Sequence, residues 1–283
     1  MASRTSPTER QRRLGSELRK MRITADVSAA TAARLLGVDR SRLSNIEQGL
    51  RAISEDRLRT LAEACGCPDE AYVNALADIA RPAQRGWWDQ YRSTLPNGLL
   101  DIAELEAHAL RMRTAHSVHI PGILQTSDHA LAVFRVVVPA LQDHEVALRL
   151  AHRMERQQVL EGVSAPEYVG VIHEAALRMQ FGGRKVARAQ LEHLLAMSER
   201  RNITLRVTPF EAGAFPGAGQ TVNYAEGPVP QLDTVQVDST HGPEFLFGYA
   251  QLSKYRSHFD WMERIALPAE QSRDFIHDIA RHL

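Results

Sequence analysis

The sequence predicts an all-α N-terminal helix-turn-helix domain followed by a mixed α/β C-terminal domain. Short helical patterns separated by glycine turns fill the first 80 residues, and later helical patterns alternate with short strands. The two parts of the sequence also differ in net charge. Residues 1–66 hold 13 Arg or Lys against 8 Asp or Glu, and the remainder holds 21 against 26. We therefore place the helix-turn-helix domain at 1–80, a connector with the stretch RGWW at 81–99, and a sensing and dimerisation domain at 100–283.

The N-terminal pattern predicts five helices. Leu14, Leu18 and Met21 are spaced by four and three residues, as on one face of an amphipathic helix. The second and third helices are AATAARLLG and RSRLSNIEQ, a fourth begins near residue 54, and a fifth covers Glu70 to Ala80. The expected caps and closing glycines are Ser28 and Asp39, then Gly37 and Gly49.

The third helix has one apolar face and one polar face. Leu43 and Ile46 are three residues apart and are expected to point inward. The side chains expected to point outward are Arg40, Ser41, Arg42, Ser44 and Asn45. Arginine suits the acceptors of guanine, and asparagine suits the edge of adenine. This pattern fits a recognition helix in a major groove, although an ordinary surface helix has the same two faces.

The segment from Leu14 to about Cys67 resembles the repressor-like helix-turn-helix family of the xenobiotic-response-element type. The resemblance includes the Gly37 turn, the stretch from Ser44 to Glu47, and Gly49. It implies base-facing roles for Arg40, Ser41 and Asn45, with Arg42 and Ser44 beside them. It also implies phosphate contacts from Arg51 and Ser28, and a structural ion pair between Arg22 and Glu47. Ala29 stands where the family usually has a phosphate-binding glutamine, so DNA affinity is expected either to be modest or to depend on arginines of an N-terminal arm such as Arg10, Arg12 and Arg13.

The C-terminal sequence mixes helices with strands. The predicted strands are EYVGVIHE, ITLRVTPF, TVNYAE, TVQVDST and FLFG. The predicted helices are EVALRLAHRMERQQVLEG, Lys185 to Glu199, Leu252 to Ile265, and the final LPAEQSRDFIHDIARH. A β–α–β unit is part of this pattern.

The motifs RGWW, PGILQT, EAALR and VTPFEAGAFPG occur in that order before the ending YRSHFDWMERIALPAEQSRDFI. Together they resemble a C-terminal domain of unknown function. It accompanies repressor-like heads in actinomycete regulators, including the WhiJ-type regulators of Streptomyces. The resemblance implies transcription regulation, often with a small partner protein encoded nearby, and it supplies no accepted ligand.

The chemistry-bearing patterns predict no enzyme and no cofactor. His116, His119 and His129 could form a three-histidine zinc site, but no further ligand follows at the usual spacing, so we expect no metal. Glu174, expected on a strand, could form a carboxylate pair with Glu211. The chain has no phosphate-loop ending and no nucleophile elbow.

We therefore expect a sequence-specific transcription regulator that binds double-stranded DNA as a homodimer, since one small head buries too little surface alone. Its C-terminal domain would respond to a partner protein or a small-molecule effector. The alternative is an antitoxin-like protein that neutralises a partner and uses DNA binding for autoregulation. We expect a cytoplasmic protein with no membrane contact, because no signal-like or membrane-spanning apolar stretch occurs. Candidate ligand or partner residues, if their loops are more than fold-defining turns, are Gln125, Thr126, Glu174, Glu211 and Phe215.

Overall fold

A computed structural model describes residues 6–81, 85–213 and 220–283. The chain divides into two compact units, Met1–Asp89 and Gln90–Leu283. Phe215 lies outside the described residues. No helix of the described part is long and apolar enough to cross a membrane.

In its described residues, the N-terminal unit contains five α-helices. Side-chain oxygens cap the N-termini of several of them: Ser28 Oγ accepts from Thr31 N–H, and Asp39 Oδ1 accepts from Arg42 N–H at 2.6 Å. These bonds satisfy amide groups that would otherwise lack an acceptor in the first helical turn. The helices are α1 (Glu9–Thr24), α2 (Ala29–Leu35), α3 (Arg40–Glu47), α4 (Glu55–Ala64) and α5 (Glu70–Ala80).

Apolar faces of these helices form one core. Its fully buried side chains include Leu18 of α1, Leu43 of α3, and Leu58 and Leu61 of α4. Helix α1 contacts α3, α4 and α5, so it is the element around which the unit is assembled.

A buried polar cluster lies inside this unit. Tyr72 of α5 donates to Glu17 Oε2 at 2.6 Å, and Arg13 pairs with Glu17 Oε1 at 3.2 Å. Burial, with the Glu17 hydrogen bond, raises the pKa of Tyr72 and keeps it a donor. Arg13 is only 6% exposed, so it is not available to DNA as the sequence suggested. Arg10 and Arg12 are also residues of helix α1 and not of an extended arm.

Gly15 lets α1 approach α3 closely. A Cβ atom added at Gly15 would lie 2.6 Å from the carbonyl oxygens of both Ile46 and Glu47. Only a residue without a side chain allows this packing of α1 against the end of α3.

The described part of the C-terminal unit is built on one six-stranded mixed sheet. Its strand order is β3-β2-β1-β4-β5-β6. Strands β1, β2 and β3 are parallel, and β4, β5 and β6 continue the sheet in antiparallel pairs from β1. The strands are β1 (Arg111–His116), β2 (Glu167–His173), β3 (Ile203–Thr208), β4 (Val222–Glu226), β5 (Thr234–Ser239) and β6 (Gly242–Leu246).

Helices cover both faces of this sheet. On one face, Tyr168 and Leu205 pack with Leu194 and Ile276 from two helices. On the other face, Tyr224 of β4 packs edge-to-face on Phe259, with ring centroids 6.1 Å apart. The helices of this unit are α6 (Asn97–Ala107), α7 (Ser127–Arg135), α8 (Asp143–Arg156), α9 (Glu174–Arg178), α10 (Arg184–Met197), α11 (Tyr249–Ile265) and α12 (Ala269–His282).

The predicted fold class is confirmed: a helical N-terminal unit precedes a mixed α/β unit. Some local predictions were wrong. Glu174 is the first residue of α9 and does not lie on a strand, because β2 ends at His173. The last predicted strand, FLFG, was placed too late: β6 spans Gly242–Leu246 and overlaps it only at Phe245 and Leu246. Strand β1 and helix α6 were not predicted.

Candidate nucleic-acid interface

Helix α3 is positioned by its caps and its apolar face. Gly37, at a φ of +62°, turns the chain between α2 and α3, and Asp39 then begins the helix. Leu43 and Ile46 are 1% and 3% exposed, so they fix the rotation of α3 on the unit. The opposite side of α3 must therefore face solvent.

The solvent side of α3 carries the residues predicted to read bases. Arg40, Ser41, Arg42 and Ser44 are exposed, and Asn45 is half-buried at the edge of this surface. Within the described residues, the guanidinium groups of Arg40 and Arg42 have no hydrogen-bond or ion-pair partner. We call Arg40, Ser41, Arg42, Ser44 and Asn45 the α3 surface. It offers donors that are free to bind an external acceptor.

Arg22 and Glu47 form a bidentate ion pair between α1 and the end of α3. Arg22 Nε lies 2.6 Å from Glu47 Oε1, and Nη2 lies 2.9 Å from Oε2. The side chains are 11% and 8% exposed, and Arg22 also donates to the carbonyl oxygen of Val27. The hydrogen bond to Glu47 raises the pKa of Arg22. The pair ties the far end of α3 to α1 and keeps the Glu47 carboxylate engaged at the end of α3.

The two residues predicted to contact phosphates lie at loop positions. Arg51 is exposed, and its backbone N–H donates to the carbonyl oxygen of Asn45 at 3.2 Å. Gly49, at a φ of +73°, makes the turn that precedes it. Ser28 is exposed at the beginning of α2, and its hydroxyl is engaged with Thr31. The guanidinium of Arg51 is therefore more available to a phosphate than the hydroxyl of Ser28.

The candidate ligand residues of the C-terminal unit do not form one site. Gln125 is 2% exposed and lines a cavity, whereas Thr126 caps α7. Glu174 accepts from the backbone N–H of Phe210 at 2.8 Å and from Arg178 Nε at 2.6 Å, which occupies both of its oxygens. Glu211 is exposed in the short turn that follows. Glu174 is therefore a structural link between α9 and this turn.

The histidines that suggested a zinc site have other neighbours. His116 ends β1, while His119 and His129 both pack on the ring of Phe181, at centroid distances of 5.0 and 5.5 Å. Within the described ranges, no three His, Cys, Asp or Glu side chains are arranged to hold a metal ion.

Sequence reasoning missed three groups of residues that the folded chain brings together. Arg13, Glu17 and Tyr72 meet inside the N-terminal unit, and Gly15 marks the contact between α1 and α3. The third group lines the cavity and comes from segments more than 100 residues apart. Only the Arg13–Glu17 pair, four residues apart on α1, has a spacing that indicates a contact. Spacing gives no signal for the other contacts, because their partners lie on different elements.

The N-terminal unit has the helices and the exposed α3 surface of a DNA-binding helix-turn-helix regulator. Residues 13–76 match the family model described as Helix-turn-helix domain. Residues 99–278, more than half of the chain, match Domain of unknown function (DUF5753), and the chain belongs to that family. The comparison with curated proteins and that with solved structures gave no match. The predicted pairing of an XRE-type head with this C-terminal domain is confirmed.

Proposed function

We propose that this protein is a dimeric, sequence-specific transcription regulator whose α3 surface reads the major groove and whose C-terminal unit controls DNA occupancy. The observation that carries the proposal is the α3 surface itself. It is polar and exposed, it has two unpaired arginines, and the buried Leu43 and Ile46 fix its orientation. The role of the C-terminal unit would be binding and not catalysis.

The dimer follows from energetics. A single helix-turn-helix unit buries too little surface to give strong selectivity at physiological salt. Two copies reading half-sites about 34 Å apart, or a multiple of that distance, would double the contacts and impose a symmetric operator. Sedimentation of the full-length protein with and without operator DNA tests this stoichiometry, and one protomer per operator would contradict it.

Asn45→Ala should weaken binding to the preferred operator by about 1–3 kcal/mol and relax the preference at one base pair. An asparagine amide can donate to and accept from one adenine edge, and alanine can do neither. Binding to a set of single-base operator variants measures this loss. Asn97→Ala, which removes an exposed asparagine of the C-terminal unit, is the matched control and should leave the preference unchanged. Unchanged preference at every position in Asn45→Ala would contradict the orientation of α3 on the DNA.

Arg51→Ala should weaken binding to all DNA sequences similarly. The exposed guanidinium would bind a phosphate, and each lost phosphate contact reduces the slope of log K against log salt by about 0.9. Binding to operator and to unrelated DNA across a salt series gives both slopes. Arg188→Ala, which removes an exposed arginine of the C-terminal unit, is the control. A loss confined to the operator would show that Arg51 reads a base.

Control by the C-terminal unit is tested by adding the product of the neighbouring gene to the DNA-binding assay. A change in operator affinity supports a regulator that responds to a protein partner. Unchanged affinity favours a small-molecule effector. The antitoxin-like alternative predicts that the neighbouring product is toxic when expressed alone and is neutralised by this protein with its α3 surface mutated.

A further inference from the structure

The C-terminal unit contains a cavity of about 210 Å³ on one side of the sheet. It lies where the parallel and antiparallel halves meet, between β1, β2, β4 and β5 and the residues of α6 and α8. Its volume is well above that needed for one water molecule and below the range usual for drug-sized ligands. A small metabolite is therefore the size of molecule that fits.

Two buried polar atoms in the cavity wall lack a partner in the described part of the chain. They are Nδ1 of His116, whose residue is 7% exposed, and the side-chain oxygen of Asn223, whose residue is 6% exposed. Unsatisfied buried polar groups are costly, so a molecule that hydrogen-bonds to them would be stabilised. Burial lowers the pKa of His116 to about 3, so at neutral pH its ring offers one donor and one acceptor.

Arg153 supplies a positive charge to the same wall. It donates to Gln125 Oε1 at 2.6 Å and lies over the ring of Phe134, with 4.4 Å from Cζ to the centroid. No carboxylate of the described residues is paired with it. The neighbouring Arg156 is instead neutralised by Glu106 Oε2 at 2.7 Å. One guanidinium with no carboxylate in direct contact therefore faces the cavity, and Asp238 and Glu106 act on it only at longer range.

The rest of the wall limits the charge and shape of a ligand. Asp238, at the exposed edge, is acidic and is not neutralised as Glu106 is, so a doubly charged anion such as phosphate would be disfavoured relative to a singly charged one. Asp238 would favour an amino group or hydroxyl donor at that edge. The side chains of Ile102, Ile120 and Ile123 form an apolar part of the wall. The complementary molecule combines one negative charge, at least one donor and a short aliphatic segment.

We propose that this cavity binds a small molecule with one carboxylate group and a hydroxyl or ammonium group. The carboxylate pairs with Arg153, and the donor group bonds to Asn223 or His116. That the molecule serves as the effector rests on the function proposed above, whereas the binding itself does not.

Calorimetric titration of the full-length protein without DNA tests the binding. The probes are 3-hydroxybutyrate, L-lactate, L-valine and L-threonine, with 1,3-butanediol as the uncharged match of the first and inorganic phosphate as the dianion. We expect at least one carboxylate to bind at one molecule per chain with a Kd below about 1 mM. Binding by none of the four, or equal binding of 1,3-butanediol or phosphate, would overturn the proposal.

Two cavity variants test whether the probe binds in this cavity. Arg153→Met should weaken binding by about tenfold or more, while Arg188→Met, an exposed arginine paired with Glu192, should leave it unchanged. Asn223→Leu, which keeps the side-chain size, is a second variant in case Arg153→Met fails to fold, and it should also weaken binding. Full affinity in a folded Arg153→Met or Asn223→Leu protein would show that the probe binds elsewhere.

Operator binding with the carboxylate at saturation then tests its role. A change of about fivefold or more in DNA affinity, absent in the variant, supports an effector. Saturable binding with unchanged DNA affinity would refute the effector role and leave the site established. If the full-length protein bound no DNA sequence selectively in the absence of any probe, that result would instead contradict the proposed function.

Discussion

Glu47→Leu should lower the free energy of unfolding of the N-terminal unit by about 3–5 kcal/mol, because it leaves Arg22 charged and nearly buried without its carboxylate. The pair is bidentate and both side chains are about nine-tenths buried. The Val27 carbonyl oxygen would remain as an acceptor for Arg22 but cannot balance its charge. Hydrogen exchange of the α1 and α3 amides in the full-length protein, followed by mass spectrometry, measures this loss within the unit itself.

Two further variants test whether the lost stability comes from breaking this buried ion pair. The double variant Arg22→Met with Glu47→Leu removes both charges and should recover most of the lost stability. Asp78→Asn breaks the exposed pair with Arg81 and should change stability by no more than about 1 kcal/mol. If Glu47→Leu cost no more than Asp78→Asn, the junction of α1 and α3 would not depend on this pair.

Gly15→Ala should destabilise the N-terminal unit by about 3 kcal/mol, the upper end of the usual cost of overpacking. In an ordinary helix the same change stabilises by about 1 kcal/mol. Here the added methyl group would lie 2.6 Å from two carbonyl oxygens at the end of α3, and backbone atoms cannot rotate away. The two helices must separate, which should also weaken DNA binding because α3 moves with them.

Gly66→Ala is the matched control for Gly15→Ala. Gly66 has a φ of +60°, and a Cβ atom there would meet nothing within 4 Å. Its cost is backbone strain of about 1–2 kcal/mol, without displacement of α3. The two variants should therefore differ in their free energies of unfolding, measured by denaturation, and in their DNA affinities. A stabilising Gly15→Ala would contradict the close approach of α1 and α3.

The sequence predicted the N-terminal helices well because their ends are encoded locally. Ser28 and Asp39 each accept from the backbone N–H three residues later, and Gly37 takes a positive φ that few other residues adopt. The α3 surface could be predicted for the same reason. The positions of Leu43 and Ile46 determine which side of an eight-residue helix faces out.

Strand β1 could not be predicted, because its residues are polar by composition and buried by tertiary contacts. The side chain of Arg113 is 6% exposed and pairs with Asp260 at 2.7 Å and Glu263 at 2.8 Å, both on α11. Thr114 bonds to the hydroxyl of Tyr168 on β2 at 2.7 Å. Because these partners lie far along the chain, the sequence of β1 does not show that its polar residues are buried. The strand also lacks the apolar alternation that indicates burial. The cavity was hidden in the same way.

The central claim is that α3 reads DNA, and one measurement tests it most directly. Full-length protein would select sequences from a random double-stranded DNA pool at physiological salt, in parallel with a protein whose Arg40, Arg42 and Asn45 are all replaced by alanine. We predict that the unaltered protein enriches a symmetric motif with half-sites about one helical turn or a whole number of turns apart, and that the folded triple variant enriches none. Enrichment of the same motif by both proteins, or of no motif by either, would contradict the claim.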